Sequence, residues 1–247
     1  MASKNVSKNL DAVFDSLTVS IDFKDVASRA ASVPIVDHGF LFGDSVYEVV
    51  RTWKGKLLYT REHLLRLSGS ATGIGLKLPY KLDTYAEELQ RVHKRSKNPE
   101  SYVRIIVTRG SGALELATAT CGEPRTIVIA KPLTVWPKAF YTAGAKLSIV
   151  SVVRNARAAT NPAYKTGNYL NNVLALEEAK KARATEALML NTNGHLSECT
   201  TSNVFFVKRG RVFTPSLEAG ILAGVTRAKV LEAGRMLGIS CEEGLYP

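Results

Sequence analysis

The stretch from Asn161 to Asn203 constrains this chain more than any other. It opens NPAYKTGNYLNNVLALEEAKKA and closes NGHLSECTTSN. Proline and glycine interrupt regular structure, so Lys165 stands in a turn between Pro162 and Gly167. The run that follows is helix-like, with Leu170, Val173 and Leu174 spaced as an apolar stripe. One lysine is thereby presented at a fixed place ahead of a helix. A strand-like run from Glu186 to Asn191 leads to Asn193-Gly194, a hairpin signal. Beyond it Glu198 precedes Cys199, Thr200, Thr201, Ser202 and Asn203, a run dense in hydroxyls and backbone donors of the kind that suits a phosphate.

A lysine held in one place can form a Schiff base with a carbonyl compound. A carboxylate supplied separately can hold a pyridine nitrogen protonated, because an adjacent anion favours the charged form. Together Lys165 and Glu198 describe a pyridoxal-phosphate site. Taken singly each has a plainer reading: Lys165 as one of 33 Lys and Arg on a solvated surface, Glu198 as a solvated residue at a strand start.

The chain of 247 residues can bury a substantial core, as one large or two smaller domains. Residues 1 to about 32 carry no motif. After them VPIVDHG reads as a short strand and turn, and Phe42-Gly43-Asp44 leads into a β-rich segment from Val46 to Arg51 that ends at a Lys54-Gly55 hairpin turn. Thr60 can cap the next helix, in which Leu64, Leu65 and Leu67 supply apolar contacts and Arg66 points elsewhere. Thr84 and Glu87 form a capping-box pattern for a second helix carrying Leu89 and Val92. In the strand SYVRIIVTRGSG, alternation places Tyr102, Arg104 and Ile106 on one face and Val103, Ile105 and Val107 on the other. A tyrosine and an arginine on one strand face can offer a hydroxyl and a cation to a substrate carboxylate, or be an exposed edge pair.

A strand-like run from Arg125 to Ala130 precedes a segment, residues 132–137, bracketed by Pro132 and Pro137 and read as an interdomain linker. The expected organisation is a small α/β domain over residues 1–131 and a larger cofactor-binding domain over 138–247. The larger one begins with a strand from Ala145 to Val153 and contains a hairpin at Arg209-Gly210. Near its end Gly224-Val225-Thr226-Arg227 enters a helix through Val230 and Leu237, whose free first-turn N–H groups could bind an anion or simply be an ordinary cap.

Charge and cysteine usage exclude several classes. The net charge of +11 comes from basic residues scattered along the chain apart from His93–Lys97, without a nucleic-acid-binding signature, so no nucleic-acid partner is expected. No apolar run reaches the roughly 18 residues of a membrane span. MASKNVSKNLDAVF lacks the apolar centre of a secretory signal, so the expectation is a cytoplasmic protein without a membrane partner. Cys121, Cys199 and Cys241 are widely spaced, and His38, His63, His93 and His195 lack metal-ligand spacing; neither a disulfide framework nor a metal is expected.

Three separated segments in order, KTGNYLNNVLALEEA, EALMLNTNGHLSECTTSNVFFVKRGRVFTP and GVTR, resemble the class IV (fold-type IV) aminotransferases. The resemblance reaches upstream through HGFLFGDSVYEVVR and HLLRL, and so covers roughly Val33 to Pro247. It implies an α+β, two-domain architecture and pyridoxal 5'-phosphate as cofactor. It makes Lys165 the catalytic residue that binds the cofactor and shuttles a proton, and Glu198 the partner of the pyridine nitrogen. Tyr169 is matched to the cofactor's phenolic oxygen, and Arg66, Val225, Thr226 and, more weakly, Ser202 to its phosphate. Phe42, Tyr47, Tyr102 and Arg104 are implied for the substrate. An amino acid and a 2-oxo acid are the implied small-molecule partners, and a homodimer the implied assembly.

Two departures bear on substrate. Branched-chain enzymes carry one more residue between lysine and tyrosine than Lys165-Thr166-Gly167-Asn168-Tyr169, which matches D-amino-acid aminotransferases and aminodeoxychorismate lyase. The Arg-x-His pair of D-specific enzymes is absent after Gly110, where SGALELATAT stands, and Tyr102-x-Arg104 resembles branched-chain enzymes instead. The reading is therefore transamination of L-branched-chain amino acids with an acceptor such as 2-oxoglutarate. The alternatives are a D-amino-acid aminotransferase, an aminodeoxychorismate lyase, or a truncated, non-catalytic cofactor-binding relative. Family members continue past the position of Pro247, so the resemblance also implies an architecture shortened at the C-terminus and an incomplete larger domain.

Overall fold

The apolar-rich runs Val46 to Val50, Val103 to Val107 and Ile127 to Ala130 build an antiparallel sheet, with successive side chains on opposite faces. The computed structural model describes residues 10–247; the first nine, part of the motif-free N-terminal stretch, lie outside the described residues. The chain divides into two compact units. One runs to Val135 and takes in Lys165–Gly167; the other comprises Trp136–Tyr164 and Asn168–Pro247.

The first unit holds six strands: β1 (Thr18–Ile21), β2 (Lys24–Val26), β3 (Ser45–Trp53), β4 (Lys56–Leu57), β5 (Ser101–Thr108) and β6 (Arg125–Pro132). They lie in the order β2-β1-β6-β5-β3-β4, each pair antiparallel. The Lys54-Gly55 turn between β3 and β4 has positive φ at both residues, as a tight two-residue hairpin requires. Two helices, Thr60–Gly73 and Leu82–Ser96, pack on the sheet. The core joins Leu64, Leu67, Leu89 and Val92 to Val46, Val50, Val103, Ile105 and Val107. The expected faces of β5 are present: its odd-numbered residues are buried and Tyr102, Arg104 and Ile106 half-buried.

Several local expectations are corrected. VPIVDHG forms no strand; Asp37 caps a helical turn, His38–Leu41, by accepting a hydrogen bond from the Gly39 N–H at 2.8 Å. The helix Thr60–Gly73 is preceded by Tyr59 in the left-handed conformation and has no side-chain cap, so Thr60 is already helical. Leu65 is exposed, because only Leu64 and Leu67 face the sheet. The second helix starts at Leu82, ahead of Thr84, which therefore caps nothing.

The second unit contains two three-stranded sheets. In the first, β7 (Leu147–Ile149) runs parallel to β8 (Glu186–Leu190), which pairs antiparallel with β9 (Leu196–Cys199) through the Asn193-Gly194 turn. In the second, β10 (Phe206–Lys208) and β11 (Arg211–Pro215) form the hairpin at Arg209-Gly210, and β12 (Cys241–Gly244) runs parallel to β11. Helices Leu170–Lys181 and Val225–Met236 are the connections between the parallel strands. The expected strand from Ala145 to Val153 is thus only three residues long. The stripe Leu170, Val173, Leu174 is 53–69% exposed, and the helix instead buries Asn172, Ala175 and Ala179. Alanines let a helix lie close to a sheet, and that small-residue face competes with the leucine face the periodicity suggested.

Candidate active site

Residues Lys165–Gly167 attach to the start of β3 like a short antiparallel strand. Thr166 bridges Val46, the Tyr47 N–H donates to the Lys165 carbonyl at 3.0 Å, and the Gly167 N–H donates to the Ser45 carbonyl at 2.8 Å. The Lys165 N–H donates to the Ser70 hydroxyl at 3.0 Å. A Cβ at Gly167 would stand 2.3 Å from Ser45 Oγ and 3.0 Å from the Gly43 carbonyl oxygen, so this approach admits only glycine. The lysine main chain is therefore held on both sides.

Register then determines what its side chain meets. Tyr47 pairs with Ile106, two residues from Arg104 on the same face of β5, so Tyr47 and Arg104 are diagonal neighbours. The Arg104 Cζ lies 4.0 Å, and the Lys165 Nζ 4.5 Å, from the centroid of the Tyr47 ring. Arg104 Nε is buried without a hydrogen-bond partner. Two cations thus lie on one ring beside a buried N–H, an arrangement chemically suited to an anion.

The other face of β3 carries Val46, Glu48, Val50 and Thr52, all fully buried. Glu48 accepts from Arg66 Nε at 2.5 Å and Nη2 at 2.8 Å, and its Oε2 lies 2.8 Å from His63 Nδ1. Burial pushes the Glu48 carboxyl up, but the hydrogen bonds from Arg66 and His63 outweigh it and hold the carboxyl below the ordinary glutamate range. Sequence reasoning assigned Arg66 to phosphate and overlooked Glu48. The signal was available: a carboxylate among valines on one face of an alternating strand needs a buried cation.

In the second unit Glu198 is buried and bonded through both oxygens. Oε1 accepts from Arg154 Nε at 3.1 Å and Nη2 at 2.9 Å; Oε2 accepts from Asn203 Nδ2 and the Leu222 N–H, each at 3.1 Å. Arg154 Nη1 also reaches Asn172 Oδ1 at 3.4 Å, and Asn172 donates to the Thr200 carbonyl at 2.6 Å. Arg154 and Asn203 were not anticipated, since nothing in their local sequence indicates a partner 44 or five residues away. Neighbouring Cys199 is no nucleophile: burial, followed by the charge of Glu186, raises its thiol to about 11.

The remaining candidates are dispersed. In the first unit Phe42 packs edge-on against His38 at 4.9 Å, and the Tyr102 ring lies 5.1 Å from Lys131 Nζ. In the second, Tyr169 occupies the N-cap position of the helix Leu170–Lys181, and the exposed Ser202 accepts the Cys199 N–H at its carbonyl, at 2.8 Å. Val225 and Thr226 open the helix Val225–Met236, whose N-cap Gly224 supplies no side-chain cap. A Cβ at Gly224 would stand 1.9 Å from Asn203 Oδ1, so the Glu198 partner also lies against this helix start.

Comparison with known proteins gives this arrangement its class. Residues 45–247 match the amino-transferase class IV family. A Methanocaldococcus jannaschii protein provisionally named a branched-chain-amino-acid aminotransferase is 34% identical over 227 residues, 92% of this chain and 78% of its own. The D-alanine aminotransferase of Listeria monocytogenes is 31% identical over 88% of this chain and 74% of its own. A solved T.th. branched-chain amino acid aminotransferase with pyridoxamine 5'-phosphate aligns at a TM-score of 0.88 with 25% identity, covering 93% of this chain and 77% of that one. The chain belongs to the class IV aminotransferases, and it has their fold-type IV architecture. It is an aminotransferase that works with pyridoxal 5'-phosphate.

Proposed function

We propose that the enzyme moves amino groups between L-branched-chain amino acids and 2-oxoglutarate, with Lys165 and Glu198 as the principal residues toward the cofactor. The chemistry of the donor set supports the assignment. A phosphate dianion calls for N–H donors and positive charge; the helix start at Val225 and Thr226 has no side-chain cap, and Arg66 is a cation whose Nε and Nη2 are braced by Glu48. Ser202 can add a hydroxyl. A pyridine nitrogen calls for a buried carboxylate, and Glu198 is one.

When bound, pyridoxal phosphate supplies the carbonyl that takes the amino group and a ring that accepts carbanion charge. Lys165 Nζ would hold the cofactor, and the same amine would carry the proton taken from the substrate Cα. Glu198 keeps a proton at the pyridine nitrogen by offering it an anion, and Arg154 and Asn203 orient that carboxylate. The Tyr169 hydroxyl serves the cofactor's phenolic oxygen.

The observation that carries the substrate reading is Arg104, with its unpartnered Nε and its guanidinium on the same ring as Lys165 Nζ. Such a group suits the second carboxylate of a dicarboxylic acceptor, with Tyr102 on the same strand face and Phe42 and Tyr47 as apolar neighbours of the substrate. The names of the relatives favour branched-chain donors, and that of the Listeria protein the D-alanine alternative. Replacing Arg104 by glutamine removes one charge-assisted hydrogen bond of roughly 1.5–3 kcal/mol, which is about 10- to 150-fold in kcat/KM. That loss is expected with 2-oxoglutarate and much less with a monocarboxylic oxo acid. Preference for D-alanine over every L-donor, with the oxo-acid ranking unmoved by the substitution, would refute the branched-chain reading.

The same reading makes the protein a cytoplasmic homodimer. Ile35, Phe40, Leu114 and Leu116 are 68–79% exposed, and their two segments are joined by the Asp37–Ser111 bridge and by His38 Nε2 against the Ala113 carbonyl at 3.0 Å. Exposed apolar residues gathered in this way suit a subunit interface. Sedimentation should give twice the chain mass, and a fully active monomer would overturn the assembly. No helix among the described residues is long and apolar enough to cross a membrane.

A further inference from the structure

We propose that Ser70 is a positioning residue for transamination: its hydroxyl sets the place of Lys165 and ties it to the helix that carries Arg66. This rests on the reading of Lys165 as the cofactor lysine. The Lys165 carbonyl accepts from the Tyr47 N–H of β3, whereas the Lys165 N–H donates to a side-chain oxygen outside that strand. The partner is Ser70 Oγ, 95 residues away in sequence and 3.0 Å away in space. Ser70 is only 2% exposed, so water is a poor substitute for its hydroxyl.

Ser70 stands four residues after Arg66 in the helix Thr60–Gly73, one turn on and along the same side. Arg66 is braced by Glu48 on β3, and Lys165 by Tyr47 on the same strand. The hydrogen bond from Lys165 to Ser70 therefore closes a ring of contacts running helix, strand, lysine segment, helix. A rigid ring of this kind keeps the amine that grips the cofactor in constant register with the cation proposed for its phosphate. Without the Ser70 hydroxyl, the lysine segment is still anchored to β3 by its carbonyl and by Gly167, but its register against the helix is lost.

The consequence is a split between two ligands. Ser70→Ala should weaken pyridoxal phosphate binding by about tenfold, the scale of one buried donor left unsatisfied, while changing the affinity for inorganic phosphate by less than about twofold. Deuterium exchange at the Lys165 backbone amide should accelerate by about tenfold or more in the same variant. Ser70→Thr, which keeps the hydroxyl, should restore both measurements toward the wild type. If pyridoxal phosphate and inorganic phosphate weaken in parallel, or Lys165 amide exchange is unchanged, Ser70 is a structural residue only and the proposal fails. Should Ser70→Ala not fold, Ser70→Cys provides a side chain of similar shape and weaker acceptor strength. It should show the same split at smaller size, and wild-type binding and exchange in it would overturn the proposal. Borohydride reduction of the wild-type holoenzyme tests the underlying reading separately. A label found away from Lys165 defeats both, whereas a label on Lys165 with an indifferent Ser70→Ala defeats the positioning role alone.

Discussion

Lys165→Ala is expected to lower kcat by at least about a thousandfold while leaving the protein folded, because the substitution removes the covalent grip on the cofactor and the proton carrier together. The anchoring of this residue is by main chain: its N–H to Ser70, its carbonyl to Tyr47, its neighbour Thr166 to Val46. All of these survive in alanine. The side chain belongs to neither hydrophobic cluster, and its contact with the Tyr47 ring is with a cation that the fold does not require. Turnover assays paired with thermal melts separate the two effects. Activity within tenfold of wild type would remove Lys165 from the mechanism and turn attention to another amine, such as Lys180, although that residue is exposed and paired with Glu177 at 2.8 Å. Loss of activity accompanied by a large fall in Tm would show that the lysine is structural.

Glu48→Ala should cause a large loss of stability. Glu48 is fully buried, and Arg66 and His63 are each 15% exposed. Deleting the shared carboxylate leaves Arg66 inside the protein without its counter-charge, and removal of one partner from a buried ion pair costs about 3–5 kcal/mol. For a chain of this size that corresponds to a fall in Tm of roughly 6–20 °C, measurable by calorimetry. The pH dependence follows from the sign of the shift. The native carboxyl is held below its ordinary value of 4.5, so its contribution is complete above that pH and is lost as the pH falls through the lower native value. Wild-type protein should therefore lose stability over that acidic range, as read from urea midpoints, and Glu48→Gln should lose less. Equal slopes in the two proteins would show that Glu48 is not the group being protonated.

These two predictions differ in how much of their basis could be read before the fold was known. Lys165 is conspicuous in the sequence, because proline and glycine isolate it and three segments in order resemble one family. Glu48 is visible as a carboxylate in a valine-rich strand, yet nothing along the chain assigns it to Arg66 and His63 rather than to solvent. Arg104 lies between these cases. Alternation placed it on the half-buried face of β5, but the pairing of Tyr47 with Ile106 was needed to bring it to the Tyr47 ring.

The helix Leu170–Lys181 shows the limit most clearly. Its presence was legible from periodicity, whereas the face it buries was not: alanines and Asn172 lie inward and the leucines outward. Periodicity reports only that a face exists, and the choice between two competing faces depends on how closely a sheet must approach. The sequence by itself determined the hairpin turns at Lys54-Gly55, Asn193-Gly194 and Arg209-Gly210, the alternation of β5, the helix that follows Lys165, and the family. Each of these depends on residues within a few positions of one another, where backbone sterics and side-chain spacing act directly. Only the tertiary structure decided that Ser70 meets Lys165, that Arg154 and Asn203 share Glu198, and that Glu48 takes the Arg66 fork. Those are hydrogen bonds between buried groups mostly far apart in the chain, and their partners are set by strand register and helix packing, which local sequence does not encode.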